Sequence, residues 1–322
     1  MSNTDKKLRA LEAWLSNLYK DAENEMRGKW DEYLQQHEKT VDKLLTRVRE
    51  AKDDEAKKKA TKAYLDYMKD HIQNTKYYQG MVRELASQYA DVNSRALRMV
   101  NGKRAEFFAD GYNFSADEIN AVAIRQDIGI RFDLCDADTV EWLAERRNDL
   151  ILPAPKYLEW DKDMLWNVKN MNAQMAQGIV QGESIPKIAK RIENVTNMNT
   201  VSAVRAARTM ATACENAGRV QAMERAESWG VHTKKRWMST HDSRTRDSHL
   251  KSVAEGGVDG ETVEEDAYFS NGCRYPGDPI GPASETYNCR CTLITVVDGF
   301  SSTLPKGKEN AVHVWVDGEQ VR

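Results

Sequence analysis

The stretch Leu8–Val48, LRALEAWLSNLYKDAENEMRGKWDEYLQQHEKTVDKLLTRV, decides the architecture of the N-terminal half. Leu8, Leu11, Leu15, Leu18, Ala22, Met26, Trp30, Tyr33, His37, Val41, Leu44 and Val48 advance by steps of three or four. Positions at that spacing stack on one face of an α-helix, so the stretch predicts one helix of about twelve turns with a single apolar stripe. Such a stripe needs a partner. A second stripe follows through Tyr64, Tyr67, Met68, His71, Ile72, Tyr78, Met81, Leu85, Tyr89, Val92, Leu97 and Val100. Between them, Ala51–Lys62 (AKDDEAKKKATK) has almost no apolar content beyond alanine and reads as a solvated helical face or a turn between antiparallel helices. The two stripes together predict long helices packed as a bundle or coiled-coil hairpin. His37 and His71 sit on the stripes as semi-buried side chains, and no ligand site is inferred from them.

Working outward, all seven prolines lie at or beyond Pro153, so residues 1–152 form a long-helix region. Within it, Phe107 to Pro155 reads as shorter pieces, with Ser115 of GYNFSADE as a helix N-cap. Pro153 and Pro155 in LPAPKYLEW stop any helix and mark the main boundary. Residues 153–230 form a second helical part: Asp163–Gln181 closed by Gly182, a helix opened by Ser184 and Pro186, and a long helix from about Thr200 to Trp229. In that last helix Val204, Ala207, Ala211, Cys214, Gly218, Gln221 and Ala222 give a face of small residues that permits close approach, and Cys214 reads as a buried small hydrophobe. Residues 231–322 change character. Strands are predicted at Lys234–Ser239 and Thr292–Val297, with a terminal hairpin around Asp317-Gly318. The fold class is mainly α with a small α+β C-terminal domain.

The chain's 322 residues exceed the usual size of one core, so two or three structural units are expected. Charged residues make up 30% and mean hydropathy is −0.71, which suits solvated helices. With 47 Lys plus Arg against 50 Asp plus Glu, the net charge of −3 supplies no general attraction to a phosphate backbone, so charge does not indicate DNA contact. No run approaches the roughly 18 to 20 apolar residues of a membrane span, and the polar N-terminus is unlike a secretory signal.

Five cysteines, an odd and sparse set, do not form a secreted disulfide framework. Three of them cluster. His249, Cys273, Cys289 and Cys291 can form a four-ligand set, since both thiols of Cys289-Arg290-Cys291 project to one side of an extended strand. Zn²⁺ suits three thiolates and one imidazole, and a closed site of that kind is structural. Ordinary reduced thiols, or a disulfide from Cys273 to either partner, are also consistent with the residues. Asp242 or Ser243 can cap a short helix through His249, placing Arg246 and His249 on one face with Arg246 pinning a carboxylate or carbonyl. A metal-dependent nuclease would use His241 or His249 beside a carboxylate, but the basic groove it needs is not evident.

In order along the chain stand Arg208-Thr209, an Asn-Ala-Gly turn at Asn216–Gly218, Lys235–Trp237, and Asp242–Arg246 (DSRTR). His249, Val258–Gly260, Tyr275–Pro279 (YPGDP) and Asn288-Cys289-Arg290-Cys291 follow. This ordered combination resembles the phage Mu F-like minor head proteins, also called head-morphogenesis proteins, over about residues 160 to 298. Asp242, Arg244, Arg246 and Asn288 belong to its structural motif. Members often carry a glutamate after the Arg-Thr pair and a cysteine near the DxRT segment, where this chain has Met210 and His249. The resemblance implies a minor capsid component of a tailed bacteriophage, bound near the portal vertex and acting in head assembly or in DNA packaging or ejection. It implies a virion protein assembled in the host cytoplasm, with portal, capsid or scaffold proteins as partners, and no enzyme. A nuclease or a toxin-like transferase carried with the head is the alternative.

Overall fold

The computed structural model of the chain describes residues 3–126, 160–301, 315–316 and 319–320. Cys135, the Pro153/Pro155 boundary and the Asp317-Gly318 turn lie outside them. The fold is mainly α, with a small α+β part near the C-terminus. Among the described residues no helix is long and apolar enough to cross a membrane. Two compact units emerge: one from Met1–Leu11, Met99–Ala154 and Arg205–Arg322, the other from Glu12–Arg98 and Pro155–Val204.

The second of these is helical. Helix α1 (Asn3–Arg49) buries Leu11, Leu15, Ala22, Met26, Trp30, Tyr33 and Val41 of the predicted stripe, whereas Leu8, Leu18, His37, Leu44 and Val48 are half-buried and Tyr19, Leu34 and Leu45, outside the stripe, are buried beside it. Its partner is α2 (Asp54–Tyr67), a π-helical stretch (Met68–Gln73), and α3 (Lys76–Gly102). Asp53 caps α2 by accepting from the Ala56 N–H at 2.7 Å, and most of the lysine-rich segment is solvated. Cross-links from Tyr33 to Ile72, Lys29 to Glu84 and Tyr19 to Asn93 run in opposite chain directions, which makes the pair an antiparallel hairpin. The π-stretch disturbs the backbone ladder, and the Tyr33 hydroxyl donates to the Ile72 carbonyl at 2.9 Å where it does so.

Helix α5 (Trp160–Val180) and the first part of α6 (Ile185–Glu227) complete that unit. Gly182, at φ +65°, turns the chain between them. The two helices expected from Ser184 and from Thr200 are one continuous helix, since nothing between them breaks the backbone ladder. Polar side chains join four helices in the core. Asn93 accepts from the Tyr19 hydroxyl and donates to Asp163 (2.6 Å) and Asn199 (3.1 Å), and Asn199 donates to Asn167 (2.8 Å). Buried amides that satisfy one another in this way fix the alignment of the helices, because any shift strands them without partners.

In the other unit α4 (Arg104–Arg125) is a single helix where shorter pieces were expected. Ser115 is no N-cap. It is fully buried mid-helix, its hydroxyl 2.7 Å from that of Thr295. Helix α4 crosses the later part of α6 at two glycines. A Cβ on Gly111 would lie under 3.0 Å from the Glu215 backbone, and one on Gly218 under 3.0 Å from Tyr112 N and the Phe108 carbonyl. The small-residue face of α6 is therefore a contact face, with Cys214 1% exposed and its thiol pushed up to about 12 by burial.

After α6 comes a three-stranded antiparallel sheet in the order β2-β1-β3, from β1 (Val231–Met238), β2 (Thr262–Glu264) and β3 (Thr292–Phe300). Short helices α7 (Asp247–Leu250) and α8 (Ala283–Thr286) sit in the connections. Trp237 pairs with Leu293 and Lys234 with Val296, and a register shift falls between His232 and Thr233. Strands β4 (Trp315–Val316) and β5 (Glu319–Gln320) pair antiparallel, as the expected hairpin.

Candidate functional site: a His/Cys/Cys cluster and its interlocking loops

The segment 286–293 is held almost entirely by residues far from it in sequence. Asn288 takes the left-handed conformation (φ 57°), which Asn tolerates better than most residues, and donates its N–H to Thr209 at 2.9 Å. Thr212 donates to the Cys289 carbonyl (2.8 Å) and Thr240 to that of Arg290 (2.6 Å). Asn216 does the most. Its amide donates to the carbonyls of Pro276 (2.9 Å) and Cys291 (3.2 Å) and accepts from the Leu293 N–H (2.8 Å). The Asn-Ala-Gly segment is thus not a turn. It lies inside α6, where Asn216 is 1% exposed and Gly218 meets α4.

The DSRTR loop is pinned to the same segment. Asp242 forms a two-pronged ion pair with Arg290, one oxygen 2.6 Å from Nη2, and accepts from the Arg244 N–H at 2.9 Å. It does not cap a helix. Helix α7 starts only at Asp247, with Arg246 at the N-cap position and no side-chain cap. Arg246 donates to the carbonyls of Glu285 (2.7 Å) and Tyr287 (2.6 Å), as its expected pinning role requires. Arg244 is exposed beyond Asp242, 3.9 Å from its carboxylate.

Arg290 holds the Asp242 carboxyl well below the usual carboxylate range. A lowered folded-state value means the pair stabilises fully above the pKa of an unfolded Asp, about 3.9. That contribution fades as pH falls from there through the folded value. Asp242→Asn should accordingly flatten the acid side of a urea-midpoint-against-pH curve below about pH 4. An unchanged acid slope would count against the pair.

In YPGDP the sequence concealed an ion pair. Asp278, fully buried, accepts from Arg274 through the backbone N (2.9 Å), Nε (3.0 Å) and Nη2 (2.8 Å). Gly277, at φ +84°, lies so close to Ala213 of α6 that a Cβ would sit 3.0 Å from its nitrogen.

Within this frame stand His249, Cys289 and Cys291, 1%, 3% and 3% exposed. The His249 Nδ1 lies 3.3 Å from Cys291 Sγ and 3.7 Å from Cys289 Sγ, and all three donor atoms fall within 4.8 Å of one another. These residues can hold a metal ion. Cys273, expected as a fourth donor, is buried but is not in that group; burial, with Asp278 and Glu285 nearby, pushes its thiol up to about 12. Hydrogen bonding from Cys289, aided by His249, lowers the Cys291 thiol, while the same contact raises that of Cys289. Cys214, Cys273, Cys289 and Cys291 are all free. The second imidazole nitrogen, Nε2, is 2.9 Å from Glu285 Oε2, yet off the line a good N–H···O bond needs. Ser248 also donates to that oxygen at 2.9 Å. No spacing rule flagged Glu285. Trp237 closes the site edge-on, its ring centroid 4.9 Å from that of His249.

Next to it on β1, Lys235 is 2% exposed with its ammonium 5.8 Å from the Phe269 ring centre. Burial lowers its pKa to about 8, against the pull of Glu265. The unfolded chain then binds more protons than the folded one between about pH 8 and 10.5, so stability rises with pH across that window. Lys235→Met should remove the rise and raise stability at pH 7 by an amount on the order of 2 kcal/mol, measured by urea denaturation. A less stable Met variant would show that the charge is compensated.

The residues that interlock here, from α6, the DSRTR loop, YPGDP and the NCRC segment, are the ones whose ordered spacing carried the family resemblance. Residues 169–294 match the family described as Phage Mu protein F like protein. The matched residues take in α6, strands β1 and β2, the start of β3 and the His/Cys/Cys cluster. The minor head protein GP7 of Bacillus phage SPP1 is 29% identical over 281 residues, covering 84% of this chain and 85% of that protein. The NAD(+)–arginine ADP-ribosyltransferase EFV of Enterococcus faecalis is 34% identical over 144 residues, which are 44% of this chain and 28% of the transferase. The chain therefore spans little more than a quarter of that relative. No solved structure matches it.

Proposed function

We propose that the chain is a minor head protein of a tailed bacteriophage, a component of the virion that acts in head morphogenesis. The supporting observation is the extent of the likeness to the SPP1 protein, which runs over 84% of the chain and so reaches well beyond the residues 169–294 that match the family. Its place is near the portal vertex, with portal, capsid or scaffold proteins as partners, and the functional division follows the boundaries at residues 152 and 230. Affinity purification from infected or induced cells should recover the chain with a portal oligomer. Its absence from both immature and mature particles would remove the proposal.

Similarity to a transferase favours a second reading, in which the domain modifies arginine. Against it stands the use of the motif residues here, since Asn216, Arg246 and Arg290 bond to partners within the fold. Incubation with labelled NAD⁺ and an arginine-rich acceptor should give no labelled product. Incorporation would establish the transferase reading. The cofactor is a zinc ion, since paired thiols with an imidazole are soft donors that favour it.

A further inference from the structure

Resting on the zinc reading just given, we infer that the metal takes three protein donors, His249 Nδ1, Cys289 Sγ and Cys291 Sγ, with Cys273 outside the coordination sphere and a water or other small exogenous ligand in fourth place. Zn–S bonds of about 2.3 Å and Zn–N bonds of about 2.0–2.1 Å put sulfur and nitrogen roughly 3.5 Å apart at a tetrahedral centre. The two Sγ–Nδ1 distances of 3.3 and 3.7 Å bracket that edge. Two edges of the donor triangle therefore match a tetrahedral ion, and the third, between the sulfurs, lies within 4.8 Å. Neither Cys273 nor Glu285 brings a donor atom into the group that meets within 4.8 Å.

Glu285 has a different part. Its carboxylate lies 2.9 Å from His249 Nε2, a buried nitrogen that has no well-aligned hydrogen bond. A carboxylate at that nitrogen favours the tautomer with the proton on Nε2, which leaves the Nδ1 lone pair facing the thiols. Glu285 is a positioning residue. It is itself held by Ser248, and its backbone carbonyl by Arg246, so the DSRTR loop reaches the metal through it. Cys273 shares Glu285 and Arg246 as neighbours but turns its sulfur elsewhere, to where a Cβ on Gly281 would intrude and into a hydrogen bond with Thr286.

Zinc content and zinc-edge X-ray absorption on the full, untagged chain test this. One equivalent of zinc with two sulfur neighbours is expected, retained in Cys273→Ser and lost in Cys289→Ser, Cys291→Ser and His249→Ala. Glu285→Gln should still bind one equivalent but with about 10- to 100-fold weaker affinity in a chelator competition, the usual cost of removing an orienting partner. Three sulfur neighbours in the wild-type spectrum, or loss of zinc in a Cys273→Ser protein that keeps its circular dichroism, would overturn the three-donor assignment while leaving the zinc reading intact. Wild-type protein that takes up less than a tenth of an equivalent when refolded with zinc overturns both.

Discussion

Asn216→Ala is expected to cost the C-terminal unit about 3–5 kcal/mol. The side chain serves the carbonyls of Pro276 and Cys291 and the N–H of Leu293, all from within α6. Alanine leaves these groups in a site too enclosed for water to replace the amide freely, and each stranded buried group costs roughly 1–3 kcal/mol. Folded domains have only about 5–15 kcal/mol to lose, so the variant should sit at the edge of unfolding. Urea denaturation followed by tryptophan fluorescence reads the effect, because Trp237 is buried in the same unit. A loss below about 1 kcal/mol would mean that these contacts are not made.

The second large effect reverses a general rule. Alanine normally stabilises a helix relative to glycine by about 1 kcal/mol. Gly28 in α1 and Gly80 in α3 have nothing within 4 Å of an added Cβ, so Gly28→Ala and Gly80→Ala should gain roughly 0.5–1 kcal/mol each. Gly111→Ala and Gly218→Ala should each lose about 3 kcal/mol, because the new carbon meets the backbone of the facing helix and no side chain can rotate out of its way. Opposite signs in the two pairs, measured by thermal denaturation, confirm close backbone contact between α4 and α6. Gains at all four would rule it out.

The helical half was readable because the apolar stripes repeat at a local period, and burial of Leu15, Met26, Trp30 and Val41 follows from spacing alone. What failed to show were contacts that sequence does not index. Ser115 stands before acidic residues as an N-cap would, but its hydroxyl partner, Thr295, lies 180 positions away. Asn216 precedes Ala-Gly, a pattern that imitates a helix end, whereas its amide is spent on three distant backbone groups. The small-residue face of α6 was legible, but its counterpart Gly111 was not, because a lone glycine in α4 gives no hint of what approaches it. In the His/Cys/Cys cluster the C-x-C pair announced itself through the period-two geometry of extended chain. Counting thiols could not separate Cys273, which is near in sequence, from His249, which is near in space. Glu285 had no neighbour of its own type to draw notice.

The polar hooks on α6 have a bearing on synthesis. Thr212 and Asn216 are made about 75 residues before the carbonyls and N–H that satisfy them, at separations of 77, 75 and 77 positions. While the ribosome is between these points the amide and hydroxyl groups lack these partners, although α4, made earlier, can already cover the small-residue face. Contacts so far apart form slowly, after the chain that closes the loop is available. The grip of α6 on the NCRC segment therefore forms only once β3 has emerged, and a chain broken off before residue 293 keeps only the contacts with α4 and Pro276.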